Sequence, residues 1–350
     1  LSLSTGGLSY EEALKRAFKE HADFLSKGNA LQRAMVGDIG GTHARFAMVD
    51  LAAERLDIDA PETLLCSEYE SMDAAVHHYI DRLGADARPN SVAIAVAGPV
   101  VDGAMSFTNM NWAVSEVGLR RTGFGRALLI NDYEALASAT PLITTEHCHG
   151  VGPDLAQDMS KTVAILGAGT GFGVAALVRG TGGEAIMATE GGHIAFAPTD
   201  AYEIEILKRL MARFGRVSIE RILSGPGLLS LYMAMCEIDG HPPSCDAPAQ
   251  VTTEALAGDG PAICAVARFC AILGSTAGDF ALSYGAQGGV YIAGGVAPRL
   301  LSFFDSGDFR QRFEAKGRFE SYLRAIPTGV VTHPYLALLG AARRLQSHGW

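Results

Sequence analysis

One pattern constrains the fold of this chain more than any other, and it occurs twice. Residues 35–50, "MVGDIGGTHARFAMVD", pass from a short apolar run through a glycine turn into a second apolar run. Residues 162–178, "TVAILGAGTGFGVAALV", repeat that design about 130 residues later. Apolar runs of this length bounded by glycine predict strands, so each segment predicts a hairpin. A chain of 350 residues exceeds most single cores. The repeat therefore predicts two related lobes that face each other across a ligand cleft.

Helices and strands alternate around the hairpins, as in an α/β protein. A helix near 71–84 and strands at 91–98 and 127–132 follow the first hairpin. Helices at 201–214, from 224 and near 261–284, a strand in "GVYIAGG" and a final helix in "PYLALLGAARRLQ" follow the second. The strand at 127–132 delivers Asn131 and Asp132 at its carboxyl end, where open α/β sheets bind ligands. Residues 9–27 predict an amphipathic helix that is added to the core, with Leu14, Phe18, Ala22 and Leu25 on one stripe. Ser9 and Glu12 form its capping box and Gly28 suits its end. Its acids oppose a mitochondrial transit peptide, it lacks the apolar core of a signal peptide, and the chain's last residues, "SHGW", match no lipidation or peroxisomal address.

The composition narrows the partners. With 48% hydrophobic and 19% charged residues, the chain reads as folded and core-rich. A net charge of −10 repels phosphate backbones, so nucleic acid is not the expected partner. Arg268 and Asp279 interrupt the apolar helix near 261–284, which reads as a buried helix and not as a membrane span. The cysteines, at 66, 148, 236, 245, 264 and 270, form no C-x-x-C pair, which favours reduced thiols in a cytoplasmic protein. His147, Cys148 and His149 are adjacent, and alternating strand side chains point to opposite faces, so the cluster reads as a turn or strand end with no zinc site.

Glycine is enriched, at 41 of 350 residues against a usual ~7%. Glycine lets successive backbone N–H groups curl around a phosphate. The familiar phosphate motifs are nevertheless absent. No G-x-x-x-x-G-K-[ST] occurs, neither loop fits G-x-G-x-x-G followed by a helix, and D-F-G and H-R-D are missing. A single strand, glycine turn and strand is more often an ordinary turn. Two matching loops, each with one hydroxyl, Thr42 or Thr170, favour a phosphate clamp. Asp38 would then stand near phosphate, where a carboxylate makes sense through a Mg²⁺ ion.

The ordered motifs "GDIGGTHAR", "AVAGPV", "TNMNW", "INDYEA", "LGAGTGFG", "EGGHIAFAP", "ERILSGPGL" and "GGVYIAGGV" resemble those of the bacterial-type glucokinases. The resemblance covers roughly residues 34–345. It implies a two-lobed actin-like ATPase (ribonuclease H-like) fold, with mixed sheets, flanking helices and a cleft between the lobes. The implied division is a helical extension at 1–33, a small lobe at 34–142 plus 332–350, and a large lobe at 143–331. The implied activity is phosphorylation of glucose by ATP with Mg²⁺, in a cytoplasmic homodimer.

Carried onto this sequence, the resemblance assigns the nucleotide to Asp38, Gly40, Gly41 and Thr42; to Gly167, Gly169, Thr170 and Gly171; and to Gly294 and Gly295. Asp38 would organise Mg²⁺ through water. The sugar falls to Asn131, Asp132, Glu190, His193 and Glu220, with Asn109 of "TNMNW" as a further contact, although an Asn-rich turn with Trp112 packed beneath it explains that stretch almost as well. Fixed acceptors and bidentate groups suit a ring of hydroxyls. Phosphoryl transfer also needs a carboxylate to take the attacking hydroxyl's proton, and Asp132 is assigned as that base. His193 has a plainer reading as a core histidine. No cysteine-rich segment follows it, unlike in the zinc-holding relatives. Gly225 and Gly227 read as a tight helix entry with Pro226 in the first turn. A kinase for another hexose, such as mannose, and a sugar-responsive regulator on the same fold are the competing readings. The regulator would need a helix-turn-helix domain that the N-terminal segment does not offer.

Overall fold

The computed structural model describes residues 32–84, 88–107, 110–153 and 156–347. The helix expected at 9–27 and Asn109 lie outside them. By compactness the chain divides into two units. One runs up to Ile130 and takes in the chain from Ala341; the other is Asn131–Gly340.

In the first unit, β1 (Arg33–Ile39) and β2 (His43–Asp50) form the expected antiparallel hairpin, with Asp38 directly opposite Arg45. Then come β3 (Asp59–Leu65), α1 (Met72–Leu83), β4 (Ser91–Val96), the small pair β5 (Ala104–Ser106) and β6 (Ala113–Ser115), α2 (Glu116–Arg121) and β7 (Arg126–Asn131). The main sheet has the order β3-β2-β1-β4-β7, with β4 parallel to β1. Its core sits between this sheet and α1. Met35, Phe46 and Ile94 from the strands meet Val76 and Tyr79 from the helix, all essentially inaccessible. A buried side chain of this size contributes about 2–3 kcal/mol. Ser71 starts α1 by accepting from the Ala74 N–H at 3.1 Å.

The second unit holds α3 (Asp132–Ala139), β8 (Cys148–Gly150), β9 (Val163–Ala168), β10 (Phe172–Gly180), β11 (Gly183–Thr189), α4 (Ala201–Phe214), α5 (Gly225–Asp239), α6 (Pro248–Ala257) and α7 (Gly260–Tyr284). After these come β12 (Gly289–Ala293), α8 (Leu301–Phe304), α9 (Asp308–Glu314), α10 (Glu320–Arg324), β13 (Thr328–Val331) and the start of α11 (Leu336–Ser347). Its sheet has the order β11-β10-β9-β12-β13-β8. Counting only the strands of each main sheet and leaving β8 aside, the two sheets share one order: third, second, first, fourth, fifth. The second sheet adds β8 at its far edge.

Strand periodicity splits the second core. Val163, Ile165 and Tyr291 face Ala137, Ala139 and Leu336 on one side. Leu166, Val174 and Ile292 face the helices on the other. Asp259 caps α7 by accepting from the Ala262 N–H at 2.9 Å, and Gly285 ends it in a left-handed conformation. By length and composition α7 is apolar enough to cross a membrane, but 67% of its most apolar stretch is buried within the protein. It is a core helix.

Two expectations shift in detail. The strand that carries Asn131 ends there, and Asp132 opens a helix. That helix packs on β10, so it belongs by contact to the second unit, ahead of the sequence-based boundary at 142.

Candidate active site

The first glycine turn, Gly40–Gly41–Thr42, joins β1 to β2. The Gly40 N–H donates to the His43 carbonyl at 2.9 Å and closes it. The Cys66 N–H donates to the Thr42 carbonyl at 2.9 Å, and the Cys66 thiol lies 3.7 Å from the Gly40 carbonyl, so the strand β3 end supports the turn from behind. Gly37 is fixed by packing, because a Cβ there would lie 2.5 Å from Ile94 Cδ1. Gly41 has nothing within 4 Å of the position a Cβ would take. Its lack of a side chain keeps the turn open to an approaching group. Arg45 Nη1 lies 3.1 Å from Asp38 Oδ2. Burial holds the Asp38 carboxyl above its ordinary range, and the Arg45 charge and hydrogen bond offset only part of that rise.

The second turn, Gly169–Thr170–Gly171, is held differently. It closes on itself through the Gly169 N–H and the Gly171 carbonyl at 2.9 Å. The Gly225 N–H, at the start of α5, donates to the Gly169 carbonyl at 2.8 Å. Glu220 Oε2 accepts from the Phe172 N–H at 2.9 Å, and a Cβ on Gly171 would lie 2.5 Å from that oxygen. Gly167 is a packing glycine, because a Cβ there would lie 1.9 Å from the Ala293 carbonyl oxygen. At Gly294, with φ of +87°, a Cβ would lie 2.3 Å from the Ala168 carbonyl oxygen. Gly169 and Gly295 have open space in the Cβ direction. The alternating glycines thus divide between those that let strands approach and those that leave the turn clear.

The sugar candidates of the second unit gather at the foot of this hairpin. Glu190 leads into the short 3₁₀ turn Gly191–His193, whose glycines pack against Phe280 and Val174 and against the Phe172 carbonyl. The Phe172 peptide therefore touches the Glu190 turn on one side and Glu220 on the other. His193 Nε2 lies 3.8 Å from Glu190 Oε2, with the two side chains 58% and 70% exposed, so the reading of His193 as a core histidine is wrong. The Ile219 N–H donates to the Ile194 carbonyl at 3.0 Å, tying the His193 segment to the Glu220 segment. Beyond it, the Thr199 N–H donates to the buried Glu203 carboxylate, which Arg268 and Arg312 neutralise.

Asn131 caps α3: its Oδ1 accepts from the Tyr133 N–H at 2.8 Å and the Glu134 N–H at 3.2 Å. Asp132 stands in the first turn, where a helix favours negative charge. The sequence reading did not single out Tyr133. Its hydroxyl donates to the Gly167 carbonyl at 2.7 Å, and its ring lies 2.0 Å from where a Cβ on Gly173 would be. Gly173 in "GAGTGFG" was the available signal, since a strand glycine marks a close approach. Sequence reasoning also missed the bond from Gly225 to the loop, having given that glycine only a helix-entry role.

The remaining candidates are placed as follows. Trp112 is buried and donates to the Tyr69 carbonyl at 3.2 Å, as a packing residue does. His147 meets His333 with ring centroids 4.4 Å apart, while His149 Nε2 lies 2.7 Å from Asp305 Oδ1. The two neighbours diverge to different partners.

Comparisons with known proteins show the family and the fold. The family profile described as Glucokinase matches residues 35–348. The chain belongs to the glucokinase family. A relative named glucokinase from Caulobacter sp. (strain K31) is 48% identical over 326 residues, covering 93% of this chain and 98% of the relative. The crystal structure of a glucokinase from an Antarctic psychrotroph is similar at a TM-score of 0.82 and 34% identity, covering 91% of this chain and 99% of that one. A glucokinase of the ROK family from Streptomyces griseus, crystallised with glucose and AMPPNP, shares the fold at a TM-score of 0.61 and 17% identity, covering 91% and 100%.

Proposed function

We propose that this glucokinase-family chain transfers the γ-phosphoryl group of ATP to the 6-hydroxyl of glucose, with Asp132 as the general base. The observation that carries the reading is the gathering of Asp132, Glu190, His193 and Glu220 around the second glycine hairpin within one compact unit. Asn131, through its amide nitrogen, and Glu190, His193 and Glu220 bind the sugar hydroxyls, and Asn109 adds a further contact. Asp132 accepts the proton of the 6-hydroxyl as its oxygen bonds to the γ-phosphorus. The bond from that phosphorus to the β-bridging oxygen breaks, and ADP leaves. Thr170 and Gly171 hold phosphate through their N–H groups and the Thr170 hydroxyl, and Gly169, whose N–H closes the turn, lets phosphate approach the backbone. Gly167 and Gly294 bring the strands together behind them, and Gly295 leaves room for the adenosine.

Asp38, Gly40, Gly41 and Thr42 are assigned to the phosphates as well. One enclosed carboxylate beside an open turn fits Mg²⁺, which keeps most of its waters and binds few protein groups. When bound with ATP, the cation neutralises charge on the β- and γ-phosphates. The protein's part is to hold Asp38 in place through Arg45. Family membership supports a cytoplasmic homodimer.

The test is a coupled assay for ADP release with purified protein, Mg·ATP and a panel of glucose, mannose, galactose and fructose. Saturable turnover with glucose, and a kcat/KM for glucose above that of the other hexoses, is expected. Preference for mannose would move the reading to another hexose kinase, and no turnover with any sugar would remove it.

A further inference from the structure

We infer that Tyr133 is a positioning residue that sets the Asp132 carboxylate against the second glycine loop. This inference rests on the function proposed above. Four contacts converge on Tyr133. Its backbone N–H donates to Asn131 Oδ1 at 2.8 Å and to Asp132 Oδ1 at 3.0 Å, which fixes the two sugar-side residues that precede it. Its hydroxyl donates to the Gly167 carbonyl at 2.7 Å. Its ring fills the space beside Gly173.

Gly167 and Gly173 are register partners across the hairpin. They flank the Gly169–Thr170–Gly171 turn on both strands, so Tyr133 grips the hairpin at the base of the loop. One rigid side chain with two rotatable bonds spans from the base-bearing helix turn to both strands. Any shift of the α3 start relative to the loop must break the bond to Gly167 or drive the ring into Gly173. Burial, and then the neighbouring Asp132 charge, push the phenol far above its ordinary range. The hydroxyl therefore stays a donor at every working pH.

The chemistry explains why such a strut matters. General-base catalysis needs the carboxylate within hydrogen-bond reach of the attacking oxygen while that oxygen is in line with phosphorus. Glucose binding tolerates small displacements of Asp132; the proton transfer does not. Loosening the strut should therefore lower kcat and leave sugar affinity nearly unchanged.

Tyr133→Phe keeps the ring and removes only the donor, so it is the variant to make, alone and combined with Asp132→Asn. The measurements are steady-state kcat and KM, glucose binding by calorimetry, and thermal melting. For Tyr133→Phe, a roughly tenfold fall in kcat is expected, with the glucose dissociation constant within about twofold and an unshifted melting curve. Because the strut acts through Asp132, the double variant should turn over no more slowly than Asp132→Asn alone. Three outcomes overturn the inference: an unchanged kcat in Tyr133→Phe, a fall in kcat matched by lost glucose binding and stability, or an additive loss in the double variant. If Asp132→Asn itself turns over normally, the proposed function fails instead.

Discussion

The two glycine hairpins have the same strand order around them and opposite means of support. In the first, the acid lies on the strand that enters the turn, and Arg45 across the hairpin answers it. Behind the turn stands the Cys66 segment. In the second, the turn has no charge of its own. Glu220, Gly225 and Tyr133 reach it from three separate elements. The repeat preserved the backbone design, and the chemistry came from what packs around each copy. A loop with a local ion pair tolerates change in its surroundings. A loop held by distant elements links its own position to theirs, and those elements carry the sugar candidates.

The largest expected effect comes from inserting a methyl where the second hairpin meets β12. Gly167→Ala should destabilise the protein by about 3 kcal/mol or more, because the only yielding atoms are backbone. Soluble, normally melting protein would show that the packing difference between the two loops is overstated. Gly169→Ala and Gly41→Ala meet nothing within 4 Å and should melt as the parent does. Their KM for ATP should rise roughly tenfold, by obstructing the close approach of phosphate to the backbone. Unchanged ATP affinity in both would mark them as ordinary turns. Arg45→Gln probes the local ion pair of the first loop. Since Arg45 is 43% exposed, stability should change by less than about 1 kcal/mol. The Mg²⁺ concentration for half-maximal nucleotide binding should rise about fivefold as Asp38 loses its partner. An unchanged Mg²⁺ requirement would detach Asp38 from the metal.

The smallest effect concerns β8, the strand that only the second sheet carries. The Thr332 N–H donates to the His147 carbonyl there, and His333 packs against His147. Burial first, and then the charge of His147, hold His333 below the ordinary histidine value; Tyr335 is the other titratable ring beside it, and its N–H donates to His333 Nδ1. Above about pH 6.5 the histidine is neutral in folded and unfolded chains, and its contribution to stability is intact. As pH falls through 6.5, the unfolded chain takes the proton first and stability drops, until the folded group titrates as well. His333→Gln should therefore flatten the fall in melting temperature between about pH 7 and 5 by a degree or two. A slope as steep as the parent's would clear His333 of that role.

How much of this was legible beforehand follows from physics that is local or not. Both hairpins, α4, α5 and α7 could be read because their glycines, caps and periodicity act within a few residues. The strands β3, β8, β11 and β13 could not. "DAPETLL" contains proline and acids, and no residue of Gly183–Thr189 is buried, so neither has a buried-strand pattern. The short β8 and β13 gain strand geometry only from each other and from β12. Among the site candidates, Asn131, Asp132, Glu190, His193 and Glu220 were named through resemblance. The tie from Glu220 to the Phe172 N–H and the strut at Tyr133 depend on contacts 48 and 34 residues apart. No spacing rule reaches that far. The position of α3 was missed for the same reason: its allegiance is decided by β10, not by its neighbours in sequence.

The central claim is that Asp132, held at the second hairpin, removes the proton from the sugar. The direct test compares Asp132→Asn with the parent by coupled turnover at saturating glucose and Mg·ATP, alongside calorimetric glucose binding. The account predicts a loss in kcat of at least ~100-fold with glucose binding largely preserved. Turnover within a few-fold of the parent would contradict it.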